Sequence, residues 1–227
     1  MRVVYVYALV EPRSRRPLTP PRARAMQVRG HRIQLIPVGT IQALVELLEA
    51  PPALSEESLR AQHDIVVALA RRFDAILPAR FGAAVDIAEL ERLVVRREKS
   101  LRKALARVRG REQMTVRVFG PEPQARIKTG MPVSGTAYLH GRRKAARVRV
   151  PASGRRVRRA VKSIMDRERI DAGHGRVQAT LHHLIQRGRH EQYRALVRRA
   201  LEGFPTDGGI VISGPWPPFA FTPDLWP

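Results

Sequence analysis

An α+β protein in two domains is expected from three features of the 227-residue chain. It opens on a β-branched and aromatic run, Val3-Val4-Tyr5-Val6-Tyr7. Two later segments carry the apolar spacing of helices behind clear capping residues. Gly120 to Val133, with Pro121, Pro123, Gly130 and Pro132, then interrupts the chain as a linker would. On this reading residues 1–120 form a first α+β domain, 121–133 the linker, and 134–227 a second α+β domain ending in a proline- and aromatic-rich tail.

Arg2 to Val10 reads as a strand buried on both faces, because no polar residue alternates with the apolar ones. Glu11 to Gly30 is rich in proline and arginine and reads as a loop or hairpin excursion. Ile33 to Val38 is a second strand whose end, at Pro37, belongs at a sheet edge. Thr40 to Glu49 stays open between one helical face (Ile41, Leu44, Val45, Leu48) and a short strand. Ser55 can cap a helix running to about Ala75, with Leu59, His63, Val66, Ala70 and Phe73 along one face and Pro78 as its stop. Asp86 and Glu89 resemble a capping box opening a second helix, with Leu90, Leu93, Val94, Leu101, Leu105 and Val108 as its stripe and Gly110 just past its end. Met114 to Phe119 alternates as a strand. Strands with two helices suggest a sheet covered on one face.

In the second half Pro151 and Gly154 break a basic stretch. Arg155 to Arg167 reads as a helix, Arg176 to Ile185 as a strand, Glu191 to Leu201 as a helix, and Gly209 to Ser213 as a short strand entering the tail Gly214-Pro215-Trp216-Pro217-Pro218-Phe219-Ala220-Phe221.

Composition narrows the function. With no cysteine, disulfides, thiolate zinc sites and a cysteine nucleophile are excluded. No apolar run approaches the roughly 20 residues of a membrane helix, which points to a cytosolic protein without a membrane partner. The net charge of +22 would attract polyanions, yet 37 of the 42 basic residues are Arg and only 5 are Lys. The excess is spread over both halves, as compositional bias would spread it. One concentration, Arg142 to Arg169, holds 12 basic and 2 acidic residues and carries the alternative reading of a nucleic-acid-associated protein.

Catalytic motifs are missing from the sequence. There is no phosphate-loop pattern, no GxGxxG, no GxSxG and no zinc-ligand spacing. His182 and His183 are adjacent in a strand, so their side chains leave on opposite faces and cannot share a metal. A non-enzymatic protein without a cofactor is expected. Two segments stand out instead. Leu77-Pro78-Ala79-Arg80-Phe81-Gly82 places Arg80 and Phe81 at a helix-to-helix corner, as a capping turn or as a partner contact. The tail presents Trp216, Phe219 and Phe221 on a proline-stiffened backbone or folds them over its own domain's core; three exposed aromatics would invite aggregation.

Taken in order, the opening strand, the helix with His63, Pro78-Ala79-Arg80-Phe81-Gly82, the helix ending at Gly110, Tyr138-Leu139 and Gly214-Pro215-Trp216-Pro217-Pro218-Phe219 resemble the gas vesicle protein F and L (GvpF/GvpL) family. The chain departs from that family's pattern at Ala83, at Gln113 and at Phe219-Ala220, and in its charge. The resemblance implies an N-terminal ferredoxin-like variant and a C-terminal α+β domain. It further implies a gas-vesicle-associated assembly role through contact with the small hydrophobic shell protein and other accessory proteins. The motif residues Pro78, Arg80, Phe81, Gly82, Tyr138, Leu139, Gly214, Pro215, Trp216, Pro217, Pro218 and Phe219 are its candidate structural or interaction positions.

Overall fold

The computed structural model describes residues 3–12, 24–120, 150–204 and 209–225. The expected linker 121–133, Tyr138, Leu139 and the first part of the basic stretch, 142–149, lie outside the described residues. The chain divides into two compact units, Met1–Gln113 with Pro215–Pro227, and Met114–Gly214. The sequence alone groups the tail with residues 134–227; by contact, Pro215–Pro227 clusters with the first unit.

The first unit is built on an antiparallel sheet of β1 (Val3–Val10), β2 (Arg24–Val28), β3 (His31–Val38), β4 (Ile41–Leu48), β5 (Ile76–Pro78) and β6 (Ala84–Val85). Its order is β2-β3-β4-β1-β5, with β6 also on β1. β1 is central, and every residue from Val4 to Val10 is buried. It pairs with β4 from Val3↔Leu48 to Val10↔Gln42, and the register shift between Val6 and Ala8 leaves Tyr7 as the extra residue of a bulge. The segment left open between helix and strand is therefore β4; its first five residues are buried, as pairing on both sides demands. β2 lies inside the stretch read as a loop or hairpin excursion, and it is the hairpin that forms. β2 folds back onto β3 through Arg29 and Gly30, both at positive φ, the geometry of a two-residue hairpin turn matched to strand twist. Pro37 pairs with Gln42 beyond the reach of β2, which extends only to Leu35, so on that side its missing N–H breaks no described ladder.

Ser55 caps α1 (Glu56–Ala70), accepting from the Ser58 N–H at 3.1 Å. The helix ends before the expected Ala75, and Pro78 sits in β5 instead of stopping a helix. The buried residues are Gln62, Ile65, Val66 and Leu69. The expected stripe is thus rotated, and Leu59 is 44% exposed. Asp86 caps α2 (Ile87–Arg96) through the Glu89 N–H at 2.7 Å. A second correction follows: the expected single helix is two, α2 and α3 (Glu98–Val108), parted at Arg97, whose φ of −115° and ψ of 13° leave the helical region. Gly110, at φ 64°, closes the segment, its N–H bonding Asp74 O at 2.8 Å.

The sheet is covered on both faces, not one. Tyr5, Ala8, Val10 and Leu44 pack with Ile65, Val66 and Leu69 of α1. The alternate residues Val4, Val6 and Leu9 are equally buried, and α2 and α3 supply a separate buried stripe, Leu90, Val94, Leu101, Leu105 and Val108.

The second unit holds a sheet of order β10-β7-β9-β8, formed by β7 (Arg111–Phe119), β8 (Met165–Ala172), β9 (Val177–Gln186) and β10 (Ile210–Trp216). α4 (Ala152–Ala160) and α5 (His190–Leu201) accompany it. The helix expected over Arg155–Arg167 starts and ends earlier, and Met165 onward is strand, pairing antiparallel with β9. Gly154 does not break the basic stretch. It lies inside α4, where an added Cβ would come within 2.7 Å of Val150 Cγ1 and 3.3 Å of Val118 Cγ2, so glycine lets the helix approach closely. The core gathers Val116, Val118, Val157, Leu181, Tyr193 and Val197. The chain as a whole is a mixed helix-and-strand fold with antiparallel sheets.

Candidate interaction site

The motif around Arg80 is a loop between two strands that both pair with the same edge of β1, not a corner between helices. β5 pairs Ala8↔Pro78 and β6 pairs Tyr5↔Ala84. Between them Ala79 N–H bonds Tyr7 O at 2.8 Å, and Val6 N–H bonds Ala83 O at 2.8 Å. Arg80, Phe81 and Gly82 bulge out of the sheet at the point where β1 has no strand partner on that side. Gly82 takes φ +82°, a conformation a side chain would strain.

Two buried polar side chains hold this loop. The Tyr5 hydroxyl donates to Gln62 Oε1 and accepts from the Gly82 N–H at 3.3 Å. Gln62 Nε2 donates to Ala79 O at 3.2 Å. Burial, the larger effect, pushes the Tyr5 pKa up, so the hydroxyl stays a donor. Phe81 meets the Tyr5 ring edge-on at 6.4 Å. The sequence hid Gln62, since a glutamine beside His63 reads as a solvated helix position.

The tail lands beside this loop, with Phe219–Phe221 forming a 3₁₀ turn against β5. Gly214 and Pro215 lie in β10, Gly214 at φ 113°. Pro217 and Pro218 are buried, Trp216 is half-buried, and Phe219 is 36% exposed. His63 on α1 lies parallel to Phe219 and edge-on to Trp216. Gln113, one of the positions where the chain departs from the family pattern, accepts the Ala220 N–H at 2.8 Å. Arg97 donates to Asp224 O, Arg80 is 3.9 Å from the Asp224 carboxylate, and Leu225 is buried. The two motifs, far apart in sequence, thus form one surface on which Arg80 and Phe219 are both exposed. The tail covers apolar surface, but that of the first unit.

The second unit contains a buried polar chain that sequence reading missed. The Tyr193 hydroxyl is 2.6 Å from His183 Nδ1, His183 Nε2 is 3.1 Å from Glu168 Oε1, and Arg158 grips Glu168 with two nitrogens at 2.7 and 2.6 Å. Burial and then the Glu168 charge push the Tyr193 pKa up; with its proton retained and donated to Nδ1, the Nε2–H of His183 faces Glu168. Burial pushes Glu168 up, but bonds from His183 and Arg158 outweigh it and hold its pKa at about 2. His183 and Tyr193 are fully buried, so this chain braces α4 and α5 against the sheet, with Arg158 reaching the surface at its outer end. On the other face His182 pairs with Asp171 at 3.3 Å, and burial lowers its pKa. Among the described residues no group of three metal-ligating side chains gathers.

The basic stretch is partly spent internally. Arg155 donates to Val150 O at 2.8 Å, Arg156 bonds Ala200 O and lies over the Phe204 ring, and Arg158 is held by Glu168. Among the described residues no helix is long and apolar enough to cross a membrane.

The family model described as gas vesicle synthesis protein GvpL/GvpF matches residues 3–223. The crystal structure of the gas vesicle protein GvpF from Anabaena sp. PCC7120 is similar at a TM-score of 0.72 and 15% identity, covering 99% of this chain and 97% of that one. GvpF from Microcystis aeruginosa is similar at a TM-score of 0.69 and 14% identity, covering 96% and 98%. No curated protein matches the chain by sequence.

Proposed function

The chain belongs to the GvpL/GvpF gas vesicle synthesis family, and from that premise we propose that it is a non-enzymatic accessory factor that binds the small hydrophobic shell protein and other accessory proteins during gas vesicle assembly in the cytoplasm. The observation that carries the reading is the family match over nearly the whole chain, 3–223. Family membership supports the assembly role; the partners are our own inference from it.

The geometry is compatible. The Tyr193–His183–Glu168–Arg158 chain satisfies its own hydrogen bonds. The joined motifs expose Phe219 and Arg80 beside the buried Pro217, Pro218 and Leu225. An exposed aromatic and a cation on one surface are suitable contacts for an apolar subunit with a polar rim. Affinity capture of the shell protein from the same genome by the full chain is the test. Capture that weakens in Phe219→Ala and Arg80→Ala supports this surface. No capture, together with normal vesicles in a strain lacking the gene, would sink the reading.

A further inference from the structure

The two outer strands of the second unit's sheet differ in chemistry. β8 carries Asp166, Arg167, Glu168, Arg169 and Asp171, the charge pattern that keeps an edge from pairing with another chain. β10 stands at the opposite edge and, among the described residues, pairs with β7 alone. Its first three residues, Ile210, Val211 and Ile212, are apolar and uncharged, and Val211 is 48% exposed. An uncharged, β-branched edge of this kind is a template for strand addition.

Beside this edge lies an open cleft of about 420 Å³, lined by Arg194, Arg198, Leu201, Glu202 and Ile212. Leu201 and Ile212 make an apolar floor, and Arg194 and Arg198 stand one helical turn apart on α5, two cations against one carboxylate. Arg194 sends one arm to Gly214 O. Its Nε is buried and, among the described residues, has no hydrogen-bonding acceptor; the nearest carboxylate oxygen, of Glu191, is 3.7 Å away. That nitrogen is covered by the protein itself, so the group a carboxylate arriving along the strand would meet first is the exposed guanidinium of Arg198, one turn on.

We propose that the edge of β10 takes up an extended acidic segment of a partner protein by strand addition, with carboxylates meeting Arg194 and Arg198 and apolar side chains on Leu201 and Ile212. Backbone pairing supplies affinity regardless of sequence, and the cleft selects residues on one face of the incoming strand, since side chains alternate. A nucleic acid is the poorer fit: two arginines over an apolar floor give few phosphate contacts and no stacking ring. The inference does not depend on the assembly reading, because its surface lies wholly in the second unit.

The probe is a fluorescein-labelled seven-residue peptide, the length of β10, with alternating valine and glutamate, against its valine–lysine counterpart. Anisotropy is read with the full chain, alongside hydrogen exchange of the 210–212 amides. The glutamate peptide is expected to bind and to slow exchange at 210–212. Its affinity should fall at least about tenfold in Arg198→Glu, an exposed position, and stay within about twofold in Arg102→Glu on α3. Four results overturn the proposal: no binding, equal binding of the lysine peptide, equal losses in both charge reversals, or those amides of 210–212 that face away from β7 already protected in the free chain because its own residues cover the edge.

Discussion

The imidazole of His63 lies 5.9 Å from the ring of Phe219 with 16° between their planes, and meets Trp216 edge-on at 5.2 Å. One side chain on α1 therefore contacts both aromatics that flank the buried Pro217-Pro218. Ring pairs of this geometry contribute roughly 1 kcal/mol each beyond area burial. His63→Ala is expected to loosen the tail without unfolding the sheet, because Ile65, Val66 and Leu69 still face the core. Hydrogen exchange at Ala220 and Phe221, whose N–H groups bond Gln113 and Pro218, should quicken several-fold while exchange in β1 is unchanged. Unaltered tail exchange would show that Pro217, Pro218 and Leu225 hold the segment alone.

The Tyr5 hydroxyl serves Gln62 and Gly82 together, and Gln62 in turn holds Ala79. Tyr5→Phe leaves the Gln62 carbonyl buried without its donor, a loss of about 1–3 kcal/mol. Adding Gln62→Leu removes the orphaned group, so the double variant should lose less than the sum of the single ones. Denaturant titrations of the four chains check this, and strict additivity would contradict the shared network.

Gly82 is at φ +82°, and a Cβ added there would meet nothing within 4 Å. The cost of Gly82→Ala is then conformational only, about 1 kcal/mol, or roughly 2–4 °C in Tm for a chain of this size. A drop beyond about 3 kcal/mol would mean that the loop packs more tightly than its geometry indicates.

What the sequence made legible was local. β1 announced itself because seven consecutive buried residues need no polar alternation, and Ser55, Asp86 and Gly110 marked helix ends by chemistry that acts within one turn. The helix break at Arg97 has no proline or glycine to signal it. Thr40–Glu49 could not be resolved because apolar residues fully buried between β1 and β3 lose the two-residue period that distinguishes a strand. In the candidate site the two motifs were visible one at a time. Their meeting was not, since it depends on the tail clustering with the first unit and on Gln62 and Gln113, glutamines whose burial only the fold creates.

Glu168 gives the pH dependence. Its pKa in the folded chain is about 2, against 4.5 when unperturbed; burial would raise it, but the hydrogen bonds from His183 and Arg158 prevail. A depressed carboxylate stabilises the fold at pH values above its unfolded pKa, and that stability is lost as pH falls toward the folded value. The window is therefore from about pH 5 down to about pH 2, and the contribution is on the order of 3 kcal/mol at neutral pH. Other carboxylates titrate in the same range, so the quantity to follow is the stability of the native chain minus that of Glu168→Gln, measured by denaturant unfolding at a series of pH values. The difference should be flat above about pH 5 and shrink steadily below it. Arg158→Met should show the same acid-limb loss, because it removes the paired donors that hold the charge. A difference that stays constant through the acid range would mean that Glu168 is no more ionised folded than unfolded, and that the bonds with Arg158 and His183 contribute only packing.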